Sequence, residues 1–331
     1  MDFALALQGI GGMNSFSAGT LSYLKKQKIT PTMISVSSGA IASLFHYLDP
    51  DEAKLEELYK TNNKNYKKSH ISKEMQGLML FMRAVTRGIP GKFKNIPIWK
   101  RMQECSISNL MDPFSLLNII APARTLESQH KNEFFENIAK RYNESDISII
   151  TNAYDYNTGK AIIFLNLAAE ETLKNTRFKI GETKEFSVQK ISAESIRGAL
   201  QLIQFGPYKG MLDGAYQYNP FLAPLKTMDK LFLVTVVPIT KPLKPMENTF
   251  DVEDFKLKML FLNSIFSEIH NIDLLNKLIE NKIINHESMH KIDFNIIEPG
   301  IQKGFFDYFV EDVDLFEDGY RKAEIFKINA K

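Results

Sequence analysis

The sequence predicts an α/β fold with a central, mainly parallel sheet flanked by helices, and three observations carry that expectation. A strand, a turn of small residues and a helix follow one another twice within the first fifty residues. An apolar run with the character of a fully buried strand, Leu231 to Pro238, returns late in the chain. No heptad array or solenoid period competes with this reading.

The first unit opens at Asp2 to Gln8, where Phe3, Ala4, Leu5, Ala6 and Leu7 form a short buried strand. The chain then turns through Gly9-Ile10-Gly11-Gly12, and Phe16, Gly19, Leu21 and Leu24 recur at helical spacing. The second unit runs from the strand Pro31 to Val36 through Ser37-Ser38-Gly39 into the small and apolar run Ala40 to Leu48. From Asp51 to about Lys140 the pattern is mainly helical, broken at Gly88-Ile89-Pro90-Gly91 and around Pro113 and Pro122. Strands are expected again at Ile147 to Ala153 and Lys160 to Leu165, on either side of an Asn157-Thr158-Gly159 turn. Phe255 to Ile284 has helical spacing, Ile292 to Ile297 alternates like a strand, and Leu315 to Phe326 is a terminal helix. The expected organisation is one α/β domain over 1–331, with a helical insertion at about 51–140 and a helical and strand extension at about 250–331.

Composition removes several classes of function. With 331 residues, 44% of them hydrophobic and 24% charged, the chain has the material for a core and is not a disordered tract. A net charge of +2 argues against a general nucleic-acid binder. No uncharged stretch reaches the roughly 18 residues of a membrane span, and Met1-Asp2-Phe3 lacks the basic start of a secretory signal. The single cysteine, Cys105, allows no internal disulfide and fits a reducing, cytoplasmic setting. The charge is nevertheless uneven, since Lys54 to Arg101 holds 12 basic residues against 3 acidic ones. Within that segment 78–101 interleaves Leu78, Met79, Leu80, Phe81, Met82, Phe93 and Trp99 with cations, the pattern of a surface meeting anionic lipid headgroups; a solvated helical insertion would share it.

Three short elements could carry chemistry. In Ser35-Val36-Ser37-Ser38-Gly39 a serine sits on a strand-to-helix turn with small residues two positions to either side, the setting of a nucleophile elbow; a serine-rich helix cap reads the same way. Gly9, Ile10, Gly11 and Gly12 form a loop whose backbone N–H groups could hold a tetrahedral oxyanion. That loop lacks both the Gly-Lys-Ser/Thr of a phosphate loop and the spacing of a dinucleotide fingerprint. Met211-Leu212-Asp213-Gly214-Ala215 places an acid before a glycine, where Asp213 is a candidate general base, although Asp-Gly is also a common turn.

Together these elements resemble the patatin-like phospholipases, in which a glycine-rich oxyanion loop, a G-x-S-x-G elbow and a D-G-G/A motif make a Ser–Asp dyad without histidine. Leu7 to Asn14 with Ala18-Gly19-Thr20-Leu21 is similar to the family's first block and Ser37-Ser38-Gly39-Ala40 to its second. Asp155 to Gly159 resembles its Asp-x-Asn-Thr-Gly turn, and Ser195 to Pro207 the run before its aspartate. The resemblance implies acyl hydrolysis of phospholipid or another acyl lipid, with Ser37 as nucleophile and Asp213 as base. Gly9 to Gly12 would supply the oxyanion hole, Ser35, Gly39 and Gly214 would support the motifs, and no metal or cofactor is called for. Met13 stands where the family usually has arginine, and Ser35 where it has glycine. A partner that activates the chain is compatible with this pattern.

Two other readings stand beside this one. His286-Glu287-Ser288-Met289-His290 satisfies H-E-x-x-H, in which two histidines one helical turn apart bind zinc and the glutamate activates water. A catalytically degenerate member of the same fold would instead bind lipid or protein without turnover. If the basic segment meets membranes, charge reversal at Lys92, Lys94, Lys100 and Arg101 weakens co-sedimentation with anionic vesicles; unchanged binding would leave it a structural insertion.

Overall fold

The computed structural model describes residues 2–51, 54–57, 130–174, 186–203, 206–240, 245–247, 249–284, 290–304 and 312–326. Most of the expected insertion at 51–140, including all of 78–101, lies outside these residues.

The described strands are β1 (Ala4–Leu7), β2 (Met33–Val36), β3 (Ser148–Asp155), β4 (Ala161–Leu165), β5 (Phe186–Lys190), β6 (Met211–Asp213), β7 (Lys230–Val234) and β8 (Asp293–Ile297). They form one sheet in the order β5-β4-β3-β2-β1-β7-β8, with β6 paired to β3 off this path. Pairings through the centre, from β3 to β8, are parallel, as is β4 with β5; β3 meets β4 and β6 antiparallel. The protein is therefore α/β with a mixed, mostly parallel sheet flanked by helices. Each residue of β1 and β2 is buried, which explains why both read as unbroken apolar or small runs rather than alternating ones.

Helices α1 (Ser15–Lys26), α2 (Ala40–Tyr47), α3 (Asn132–Asn143), α4 (Leu167–Lys174), α5 (Ala193–Ala199), α6 (Thr249–Glu280) and α7 (Val313–Ile325) complete the described elements. None is long and apolar enough to cross a membrane. The expected strand at Leu231 to Pro238 ends at Val234: the Thr235 N–H still donates to Ile297 O of β8 at 3.0 Å, but the Val236 N–H turns from the ladder to the Gln8 side-chain oxygen at 2.8 Å. Strand β5, strand β6 and helix α4 carried no signal of their own, being short and polar or half-buried.

Two contacts hold the helices that flank β1 and β2. Helix α3 docks on α2, where the Tyr142 hydroxyl donates to Ile41 O at 2.7 Å and Arg141 donates to Phe45 O at 3.1 Å and Asp49 Oδ2 at 2.9 Å. Helix α7 lies against α1 at a distance only glycine permits. A side chain at Gly19 would collide with Phe316 O, and one at Gly319 with Phe16 O. Thr20 Oγ1 donates across the same crossing to Gly319 O at 3.3 Å. Since α1 begins where the glycine loop ends, this crossing also fixes the loop's position. Gly319→Ala is expected to cost about 2–4 kcal/mol, because both colliding groups are backbone and neither can rotate away. Chemical denaturation would measure the loss, and a variant within 0.5 kcal/mol of wild type would mean that the helices separate freely.

Candidate functional site

Strand β3 outruns its neighbour. Its residues Ser148 to Thr151 pair with β2, the last match being Thr151 with Val36, and its residues Ala153 to Asp155 pair with β6, with Ala153 opposite Asp213. Strand β4 occupies the other edge over Ile150 to Tyr154. Strands β2 and β6 therefore lie end to end along one edge of β3, and their carboxyl ends converge on the single intervening residue, Asn152. This brings together the elbow and Asp213, which stand 176 positions apart in the sequence.

Three glycines make the convergence sterically possible. A Cβ on Gly9 would overlap Ser37 O, one on Gly39 would overlap Asn14 Nδ2, and one on Gly214 would overlap both Nδ2 and the carbonyl of Asn152. Glycine loop, elbow and Asp213 turn thus touch through bare backbone. Ser35 sits within β2, opposite Ala6 and Ile150, and is buried there; its hydroxyl has no partner among the described residues.

Ser37 is fully buried, with its hydroxyl donating to Asn152 Oδ1 at 2.7 Å and lying 3.2 Å from Tyr218 O. Ser38 follows at φ 51°, in the left-handed region, and remains 7% exposed. The Asp213 carboxylate accepts the Ala215 N–H at 2.9 Å. Burial pushes the Asp213 carboxyl up to about 6, against the lowering effect of the Ser38 and Ala215 hydrogen bonds.

The glycine loop is held by two asparagines. Asn219 Oδ1 accepts the Gly9 N–H at 2.9 Å while its Nδ2 donates to Gly9 O at 3.2 Å. Asn14 Oδ1 accepts the Ile10 N–H at 3.0 Å while its Nδ2 donates to Gly11 O. Of the four N–H groups expected to face an oxyanion, those of Gly9 and Ile10 are therefore engaged by side chains. Gly11 and Gly12 begin a 3₁₀ turn, Gly11–Asn14, and their N–H groups have no hydrogen-bond partner among the described residues. Gly11 is exposed, Gly12 partly so, and Met13 is buried beneath them.

Sequence reasoning passed over the parts played by Asn14, Asn152 and Asn219. The asparagines lack a motif signal, since their work is to replace backbone partners at positions only the fold brings close. Of the H-E-x-x-H residues, His286 and Glu287 lie outside the described residues, and His290 lies 3.6 Å from Asp229. Among the described residues no three His, Cys, Asp or Glu side chains gather as a metal site.

No family model and no curated protein matches this sequence. Among solved structures the chain is similar to VipD from Legionella pneumophila at 10% identity and a TM-score of 0.36, over 98% of this chain and 66% of that one. The chain thus spans just under two thirds of that protein's length.

The buried carboxyl has a consequence for stability. Its folded pKa of about 6 lies above the ordinary 3.8, so between those values the folded state keeps a proton that the unfolded state has released. Stability from this group is full below about pH 3.8 and is lost as pH rises through about 6, a cost on the order of 3 kcal/mol once the carboxylate is charged. Asp213→Asn is expected to melt above wild type at pH 8, with the difference closing near pH 4; a pH-independent difference would show that no such penalty exists.

Proposed function

We propose that this chain is a lipid acyl hydrolase of the patatin type, in which Asp213 is general base to an elbow serine. The observation that carries the reading is the buried Asp213 carboxyl, held against the elbow at the converging ends of β2 and β6 with its pKa at about 6. A carboxylate in water is too weak a base for a serine hydroxyl. Desolvation narrows that gap by destabilising the charge that proton uptake would remove.

The nucleophile is Ser37, the serine at the centre of the elbow by the spacing of the motif. As the serine oxygen attacks the ester carbonyl carbon, its proton passes to Asp213 and the carbonyl electron pair becomes the oxyanion. The N–H groups of Gly11 and Gly12 are the donors open to that oxyanion. Collapse expels the alcohol, which takes the proton from Asp213. Water then attacks the acyl-serine, again giving its proton to Asp213, and fatty acid is released as the serine oxygen recovers a proton.

Support for a lipid substrate comes from the residues around Asp213. Tyr216, just beyond it, stacks on Phe261 at 6.0 Å, and its hydroxyl accepts the N–H of Ile203, whose apolar side chain is exposed. An acyl chain could lie along this surface.

A second reading, a lipid-binding protein without turnover, draws on the engagement of the Gly9 and Ile10 N–H groups. Fatty-acid release from mixed phospholipid vesicles separates the two. Wild type is expected to release fatty acid in the presence of chelator, with kcat/KM rising as pH passes through about 6, and Asp213→Asn to lose about 10³-fold. A folded wild type that binds vesicles and releases nothing would favour the binding protein, and release abolished by chelator would sink the dyad.

A further inference from the structure

The geometry points to Asn152 as a latch on the nucleophile: it holds the Ser37 hydroxyl off Asp213 in the resting site, so that Ser37 must leave Asn152 before it reacts. The inference rests on the acyl-hydrolase reading and deepens it by naming what restrains the reacting atom. It starts from where the Ser37 proton lies. Asn152 faces two oxygens, Ser37 Oγ at 2.7 Å from its amide oxygen and Tyr218 O at 3.0 Å from its amide nitrogen. A backbone carbonyl only accepts, so the amide NH₂ must face Tyr218 and the amide oxygen must face Ser37. Ser37 is thereby obliged to donate, and a neutral amide oxygen receives its only proton.

Neither neighbour of that hydroxyl can serve as base. Ser37 Oγ reaches Asn152 Oδ1 and, at 3.2 Å, Tyr218 O, and among the described residues it makes no hydrogen bond to Asp213. Proton transfer to Asp213 therefore requires the oxygen itself to move, and in moving it gives up Asn152. The later states of the reaction lead to the same place. An alkoxide or an acylated serine oxygen has no proton to donate, and at 2.7 Å it would meet the amide oxygen lone pair to lone pair. Turning the amide over gives no relief, since its oxygen would then oppose Tyr218 O.

The surroundings decide which partner moves. Asn152 is fully buried in the one-residue gap of β3 between β2 and β6, and Gly214 is pressed so close that a Cβ there would overlap the Asn152 amide nitrogen and carbonyl. Asn152 has no room to withdraw, so Ser37, just past the end of β2, is the moving part. Asn152 is thus a positioning residue that acts through Ser37. The latch also reaches the glycine loop, because Tyr218 is followed by Asn219, whose amide pairs both polar groups of Gly9. Displacing the 218–219 turn would loosen the hold on Ser37 and free the Gly9 N–H together.

An alkyl fluorophosphonate tests the latch. Ser37 Oγ forms a bond to phosphorus, fluoride leaves, and the serine proton passes to Asp213. Asn152→Ala is expected to raise the inactivation rate constant about 2- to 10-fold, the worth of one neutral buried hydrogen bond, while melting at a lower temperature than wild type. A residue that merely supports the fold would lower both. A folded Asn152→Ala that labels no faster than wild type would overturn the inference. The crystal structure of phosphonylated wild type gives a reading independent of any variant. Ser37 Oγ is expected there at more than about 3.5 Å from Asn152 Oδ1, beyond hydrogen-bond reach. An adduct that keeps the 2.7 Å contact would overturn the latch and leave the hydrolase reading intact. Folded wild type and folded Asn152→Ala that neither label nor release fatty acid would overturn both.

Discussion

Two strands share one edge of a third. Because β3 runs to Asp155 while β2 stops opposite Thr151, four residues of edge remain; β6 pairs with the last three and arrives with Asp213 at its end. Everything at the candidate site follows from that allocation. The carboxyl ends of β2 and β6 meet above Asn152, so the elbow and the acid become neighbours although the chain between them includes three further strands and the residues outside the described set. In open, mainly parallel sheets ligands sit at the carboxyl ends of the strands, and the site obeys that rule.

Close backbone approach is what the allocation demands, and glycine is how it is met. Gly9, Gly39 and Gly214 each stand where a side chain would overlap another segment of the site. Gly19 and Gly319 do the same at the crossing of α1 with α7, one helix removed. The site is therefore braced from the far side of α1 as well as from within. Polar contacts complete the bracing: Asn14, Asn152 and Asn219 are all buried, and each takes up backbone or hydroxyl groups that this packing would otherwise leave unpaired.

Met13 belongs to a glycine loop that has no charged side chain of its own. The residue is buried, and the loop is held by amides on either side, with Asn219 pairing both polar groups of Gly9 and Asn14 bridging Ile10 and Gly11. This arrangement also uses two of the four loop N–H groups, leaving Gly11 and Gly12 with donors open at the surface. The buried carboxyl of Asp213 sits in the same dry setting, which raises its pKa and sets stability against proton-accepting capacity.

Much of the fold was legible in the sequence, because strands buried on both faces must be apolar throughout and long helices must repeat their apolar face. Those rules locate β1, β2, β3, β4, β7, β8 and the helices α1, α2, α6 and α7 from residue pattern alone. Elements β5 and β6 escape them, since five half-exposed residues or three residues at a strand's end carry too little periodicity to register. The same division holds at the site. Motif spacing names the glycine loop, the elbow and Asp213, because each is a local turn with its own residue requirements. Which N–H groups stay open and which asparagines hold the loop and the elbow are decided only when β2 and β6 are laid end to end, for these depend on directions and distances between segments that the linear order of residues does not encode.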